Sequence, residues 1–531
     1  MNYDVIVVGG GIAGLTAASF LVKEGYKVLL CEKENHVGGL VNSFMKDGFL
    51  YDSGVRGIVD SGIVKPMLKQ LGITVDFIRS IVSIGIENEM IQVKTKESLK
   101  DYQAMLESLY PDNHQDIDKI LNEIKKVMEY MDVLYGIENP LFLDLKQDKD
   151  YLIHSVLPWF IKYLTKINKI THLQTPVDAY LSKLTVNQSL IDIISQHFFK
   201  KTPASFALSY FSLYLDYEYP IKGTKALIDE IEAFYLSHGG VVQTSTAIES
   251  IDLEQQTLYD QYQKAYTYKQ LIWTADQTRL YQAIDLAKIT KPKLKKTVVN
   301  RQTFLLDKRG GDSIYSVFLA VDLDQAYFLD KTTPHCFYTP KKLGHASVFK
   351  ELDNVSKTID RDEIFGWMNR YLDLTTYEIA IPSLRNSELA PKGQTGLVIS
   401  VLMDYDFIKN IEKLGFYQEF KTFAQTKMLE VLSQNLFPNI KDHVIHCFSS
   451  TPLTIEKLSG NKDGGITGWA FTNSVNPAVN KMSQVAKSCL TPLPNVYQAG
   501  QWTFSPSGLP ISILTAKFAV NKVHKIFKKR R

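Results

Sequence analysis

Hydrophobic residues in this chain come in two rhythms: short unbroken runs, and stripes spaced three or four positions apart. Residues 5–8 (VIVV) form a β-branched run long enough only for a strand buried on both faces. Residues 15–23 then read as a helix, and 27–31 (KVLLC) as a second buried strand. Residues 98–109 read as a helix stopped by Pro111. Over 116–134, Ile117, Ile120, Leu121, Ile124, Val127, Met128 and Met131 keep helical spacing, and this stripe predicts the packing face of a longer helix. Between 38 and 54, "GGLVNSFMKDGFLYDSG" reads as a loop and a strand pair turning at Lys46-Asp47-Gly48.

From 150 to 220 the chain is apolar, helical and rich in aromatics. Near Lys222 the grammar changes to helix, glycine turn at Gly239-Gly240, then strand and strand, and it continues through "KQLIWTADQTRLY". Residues 300–450 alternate strands with polar turns, and the α/β signal returns at 495–523. The expected fold class is therefore α/β: a discontinuous Rossmann-like dinucleotide-binding domain with an inserted α+β substrate domain. The expected division is 1–75, 220–299 and 455–531 for the nucleotide domain, 76–219 for a helical part of the substrate domain and 300–454 for its sheet part.

Length and composition narrow the class. A chain of 531 residues exceeds one ordinary core, and 45% hydrophobic with 22% charged residues is the balance of a folded globular protein. The first strand starts at once, which leaves no room for a signal peptide, and no apolar stretch reaches the length of a membrane span. Cys31, Cys336, Cys447 and Cys489 are scattered and suggest neither a disulfide framework nor a zinc site, so the cytoplasm is the expected location. No acidic residue follows Asp463, and nine of the 60 basic residues lie beyond it. A basic end of this kind serves an anionic cofactor, an anionic membrane surface or solubility, and no nucleic-acid module accompanies it.

Candidate chemistry begins between the first strand and first helix. Gly9, Gly11 and Gly14 form G-x-G-x-x-G, which permits a tight turn, backbone approach to a pyrophosphate, and close helix–strand packing. Glu32 ends the second strand eighteen residues after Gly14, where a carboxylate accepts hydrogen bonds from ribose hydroxyls.

The stretch after Glu32 resembles a flavoprotein pattern in which a Gly-Gly step approaches the pyrophosphate and a D-x-G turn runs towards the flavin. Together with "YQAG…SGLP" near the C-terminus, "TSTAIESI", "IWTADQTRLY" and "TPLTIEKLSGNKDGGITGWA", the chain resembles the phytoene desaturase, carotenoid isomerase and retinol saturase family of FAD proteins, within the flavin amine oxidase superfamily. The resemblance is strong at the two ends and weak in the substrate regions. It implies that FAD is the cofactor, with Gly9, Gly11, Ile12, Ala13 and Gly14 at its pyrophosphate and Glu32 on the adenosine ribose with Lys33 beside it. Gly38, Gly39 and Leu40 lie along the diphosphate and ribityl chain, Ile248 offers its backbone to the adenine, and Gly500 and Gln501 meet the diphosphate and ribityl side. Leu509, Pro510 and Ile511 place a helix N-terminus beneath the flavin pyrimidine ring. Leu40 stands where many relatives carry Arg or Lys, and Gln501 where several oxidases carry an acid.

The implied activity is hydride transfer at flavin N5 on carbon–carbon bonds of a long lipophilic polyene or isoprenoid-type substrate, by desaturation, saturation or isomerisation. NAD(P)H or a quinone is the expected redox partner. Two other readings share the motifs: a flavin amine oxidase, and a non-catalytic lipid-escort protein. The segment from Thr451 and the lack of an obvious cysteine for covalent flavin attachment favour the first reading. The residues themselves declare no triad. In "HVIHC", His443 and His446 point to opposite sides of a strand and suggest no metal. Arg56, just after the D-x-G turn (Asp52, Gly54), is either a cation beside the flavin or substrate, or a surface arginine. "PASFALSYFSLYLDYEYP" (203–220) is either a substrate-channel wall or an aromatic core. Residues 152–169 have the composition of an interfacial helix or of a buried helix with lysines at its edge, and the C-terminal "KVHKIFKKRR" predicts a basic helix with Val523, Ile526 and Phe527 as an apolar edge for a peripheral membrane contact.

Overall fold

A computed structural model describes residues 2–144, 147–171 and 173–530, the side chains of 166–171 and 530 excepted. The expected lysines 166 and 169 of the interfacial stretch, and the last two arginines of the tail, thus lie outside the described side chains.

The first seven-stranded sheet runs Val241–Gln243, Val28–Cys31, Asn2–Val8, Ala265–Trp273, Thr257–Asp260 and Ile248–Asp252, with Val496–Gln498 also paired to Ala265–Trp273. The strands around Asn2–Val8 pair in parallel, and Val496–Gln498 joins them in parallel. Parallel strands are covered on both faces, and accordingly Val5, Ile6, Val7, Val28, Leu29 and Leu30 are all fully buried. One face packs on helices Ile12–Lys23, Lys225–Ser237 and Leu509–Arg530, which share a core with Val5, Val7, Val28 and Leu30. This is the α/β, Rossmann-like architecture expected, and its strands come from the start, middle and end of the chain.

The second seven-stranded sheet runs Val444–Ser450, Ser313–Val321, Thr395–Met403, Tyr377–Ala380, His335–Thr339, Val82–Ile86 and Glu89–Val93. The segment 76–219, expected to be helical, thus also contributes two strands. One face of this sheet (Val317, Leu319, Ile379, Ile399) packs under helices Arg361–Leu374 and Tyr417–Asn435. The other face looks inward, towards the hairpin Ser43–Lys46/Phe49–Asp52 and the helical segments. That hairpin turns at Asp47 (φ 51°) and Gly48 (φ 85°), the left-handed pair a type I′ turn needs.

Helix His114–Tyr135 buries the seven residues of the apolar stripe. Residues 203–220 form helices Ala204–Ala207 and Tyr210–Leu215, then strand Tyr217–Pro220, which pairs with Ile58–Val59 and Phe77–Arg79. The basic tail departs from expectation. Val523 is fully buried, and the Phe527 ring lies tilted against Tyr26 with centroids 4.8 Å apart, so two of the three apolar-edge residues belong to the core of the first domain while Ile526 is half-buried. No helix among the described residues is long and apolar enough to cross a membrane.

Candidate active site

The phosphate loop is shaped by what its glycines exclude. Gly9 turns at φ 103° while its N–H donates to the Cys31 carbonyl at 2.8 Å. A Cβ on Gly14 would lie 1.9 Å from the Gly9 carbonyl oxygen, so helix and strand meet at a distance only glycine allows. Around Gly11, by contrast, a Cβ would meet nothing within 4 Å. The loop therefore leaves open space where the N-terminus of the helix that begins at Ile12 and Ala13 is ready for an anion.

The second glycine pair completes the same floor. Gly38 donates to the Gly10 carbonyl at 2.9 Å and bridges Gly11, and a Cβ on Gly39 would lie 3.4 Å from the Gly11 Cα. The Leu40 carbonyl accepts from Val55 at 2.9 Å, and a Cβ on Gly54 would sit 2.3 Å from it, which draws the D-x-G turn alongside. The C-terminal motif closes from the other side. Gly500 (φ 95°) donates to Thr515 Oγ1 at 2.9 Å, and a Cβ there would come within 3.3 Å of the Ala13 side chain. The Gln501 carbonyl packs tightly on Gly468, and Leu509, Pro510 and Ile511 form the first turn of the last helix.

Glu32 is nine-tenths buried. One of its oxygens accepts from the Gly10 N–H at 2.6 Å and the other from the Glu34 N–H at 2.9 Å. Thr246 donates to the Glu32 carbonyl at 2.8 Å, which brings Ile248, at a bulged strand start, close to the same end of the cleft. Glu32→Ala is expected to weaken FAD binding by one to two orders of magnitude, the loss of a charge-assisted hydrogen bond of about 1.5–3 kcal/mol. Titration of flavin-free protein measures it, and an unchanged affinity would reject the ribose assignment.

The Lys33 side chain is engaged at a helix end. Its ammonium donates to the Lys457 and Leu458 carbonyls at 3.0 and 2.9 Å, at the C-terminal end of helix Pro452–Ser459, and pairs with Glu34. It is a helix-end cation.

Arg56 is no surface arginine: it is 3% exposed. Its guanidinium donates to Glu378 Oε2 at 3.1 Å, to Ser316 Oγ at 3.2 Å and to Ser400 Oγ at 2.5 Å. Ser316, Ser400, Glu378 and Phe337 are successive cross-strand neighbours in one row on the inward face of the second sheet. His335, 1% exposed, brings Nε2 to 3.1 Å from Glu378 Oε1 without the alignment of a hydrogen bond. Burial pushes its imidazole below the usual histidine range, so it is neutral at pH 7 although Glu378 pulls the other way. Arg385, 6% exposed, completes the group with Nε on Ser80 Oγ at 2.9 Å. Sequence reasoning missed Glu378, His335 and Arg385. The aromatic segment does line a cavity: Tyr210 and Tyr214 join His197, Phe198, Phe337 and Ile84 around a space of about 50 Å³ beside this row. His443 meets Asp322 and His446 meets Tyr51, and no group of three or more metal-ligating side chains occurs among the described residues.

A larger cavity of about 490 Å³ lies between the end of helix His114–Tyr135, helix Leu157–Thr171 and the last helix. Its walls are almost wholly apolar, and Ile511 and Leu514 form its inner side.

Residues 7–71 match the NAD(P)-binding Rossmann-like domain. Over 98% of both chains, the protein is 22% identical to a 4,4'-diapophytoene desaturase (4,4'-diaponeurosporene-forming) of Staphylococcus aureus strain COL. Among solved structures it is similar to cyclohexylamine oxidase from Brevibacterium oxydans IH-35A (11% identity, TM-score 0.60, covering 99% of this chain and 100% of that one). It is also similar to a putative protoporphyrinogen oxidase from Exiguobacterium sp. 255-15 (13% identity, TM-score 0.57, 99% of each chain). The fold is the one these oxidases share.

Proposed function

We propose, from this fold and a desaturase relative matched from end to end, that the chain binds FAD and oxidises, reduces or isomerises carbon–carbon bonds of a long lipophilic polyene or isoprenoid-type substrate. The observation that carries the substrate class is the 490 Å³ apolar cavity, because one wall of it is the first turns of the helix expected beneath the flavin. The residues present fit the cofactor: open space at Gly11, helix N-termini at Ile12 and Leu509, and the Glu32 carboxylate suit a pyrophosphate, a flavin pyrimidine edge and a ribose respectively. FAD, when bound, supplies two-electron hydride chemistry that needs no protein nucleophile. The chain's own part is then to hold and orient a greasy substrate, exclude water with its aromatic walls, and keep Arg56 fixed between the D-x-G turn and the sheet. Anaerobic flavin absorbance with polyene, retinoid, fatty-acid and amine panels tests this. A spectral change with isoprenoids alone is expected, and turnover of amines alone would transfer the chain to the amine oxidases.

The same reading extends to a membrane surface. Leu157, Phe160, Ile161 and Leu164 lie exposed on the helix that roofs the cavity, and Ile161 is 63% exposed. Burying such side chains in lipid gains about 1.5–3 kcal/mol each. Leu157→Asp with Ile161→Asp is therefore expected to lower binding to anionic vesicles at least about tenfold. Sedimentation at low and high salt measures it, and equal pelleting of both proteins would remove this helix as the contact. Deleting the tail is a poor test, since Val523 and Phe527 belong to the core.

A further inference from the structure

The interior polar group contains more donors than acceptors. Asp52 is fully buried and saturated: it accepts from Ser43 Oγ at 2.6 Å, Tyr219 Oη at 2.7 Å, and the Thr224 hydroxyl and N–H at 2.9 and 3.1 Å. Glu378 is shared between Arg56 and His335 at 3.1 Å each. Both nearby carboxylates are thus bonded to other donors, and Arg385 feels the charge of Asp52 and Glu378 without a hydrogen bond to either. Its guanidinium lies 4.2 Å over the Tyr219 ring, only Nε is bonded, and both terminal nitrogens find no partner among the described residues. Arg56 Nε and His335 Nδ1 are likewise without a hydrogen-bond partner. Guanidinium N–H groups left without acceptors away from water are costly, and a planar fork of donors fits one carboxylate.

What adjoins this fork is apolar. The Tyr217 ring is 5.3 Å from His335 and 5.8 Å from Tyr214, and Tyr214 is 5.3 Å from Phe337 in the wall of the aromatic cavity. A molecule whose chain lies among these rings would end at the arginines. We propose that the buried donor group of Arg385, Arg56 and His335 anchors a carboxylate at one end of a long apolar ligand. This rests on the lipophilic-substrate reading and narrows it from a pure hydrocarbon to an amphipathic acid.

The test is equilibrium binding to the purified full-length flavoprotein, read by tryptophan fluorescence, with two matched pairs: all-trans-retinoic acid and its methyl ester, and oleate and methyl oleate. The unaltered protein is expected to prefer each acid on the order of tenfold or more. Arg385→Met should bring that ratio to about one, with ester affinity and flavin content unchanged, and Arg385→Lys should keep part of it. Equal binding of acid and ester by the unaltered protein, or a preference that survives Arg385→Met, overturns the proposal. So does loss of flavin in Arg385→Met, because the donors would then serve the cofactor. If Arg385→Met does not fold, Arg385→Lys decides: a reduced preference supports the anchor and an unchanged one overturns it. Oleate preferred without any retinoid binding keeps the anchor and rejects the polyene reading. Retinoid acid and ester bound equally does the reverse, and no binding by any probe rejects both.

Discussion

Gly14→Ala is expected to give no folded, flavin-binding protein, whereas Gly11→Ala and Gly11→Val are expected to give folded protein without colour. The two glycines look equivalent in the motif, and the structure separates them. At position 14 the added carbon would sit 1.9 Å from the Gly9 carbonyl oxygen and 2.8 Å from Thr274 Oγ1, which is itself held by bonds to the Val8 and Gly9 carbonyls. Relief requires the first helix to leave the first strand, and that helix is buried from Ile12 to Val22 in the largest core. The cost is about 4 kcal/mol or more, a large share of the 5–15 kcal/mol that holds a typical domain. At position 11 the added carbon meets nothing, so the protein has no reason to object. What the side chain takes is the space kept for a phosphate. Thermal melting together with flavin absorbance after purification separates the cases. A yellow Gly11→Val protein would show that this loop does not carry the cofactor.

Arg56→Met is expected to cost about 3–5 kcal/mol, and Arg56→Met with Glu378→Gln to recover much of it, because the harm lies in the buried charge left behind. The pH dependence follows from the same pair. Burial alone would push the Glu378 carboxyl up, but Arg56, His335 and Arg385 outweigh it and hold it down to about 2, against an ordinary value of 4.5. Its exposed third faces the interior cleft, since Arg56 and His335 beside it are almost wholly buried. With the folded-state value the lower one, the pair's stabilisation is present above about pH 4.5 and is lost as the pH falls towards 2. Discounted for that exposure, it is worth about 2–3 kcal/mol. The unaltered protein should therefore lose melting temperature through this acid window more steeply than the double variant. Parallel acid profiles for the two would show that the ion pair adds nothing to stability.

The first domain was legible because its signals are local. Gly9 to Glu32 needs only a strand, a turn and a helix in sequence, and the stripe from Ile117 to Met131 is a property of one helix. The interior site was not, because strand register makes it. Ser316, Ser400 and Glu378 become neighbours only when three strands pair in one particular alignment. Read along "YEIA", Glu378 looks like a solvent-side residue of an alternating strand, and nothing in that string announces an arginine arriving from residue 56. The tail shows the opposite limit. "KVHKIFKKRR" has a genuine amphipathic pattern, but a pattern does not say whether its apolar edge meets lipid or protein, and Tyr26 had already claimed Phe527.

That closure of the last helix on the first has a consequence for synthesis. The central strand Ala265–Trp273 receives its partner Val496–Gln498 only after more than two hundred further residues have been made, and the first helix waits longer still for Val523 and Phe527. Until then a ribosome-bound chain exposes the apolar faces of a half-built sheet for more than two hundred residues of elongation. The second sheet, complete by Ser450, has by that time emerged and can fold beside it. Molecules that stop before Val496 would therefore accumulate with an unfinished first sheet, as chaperone-bound species.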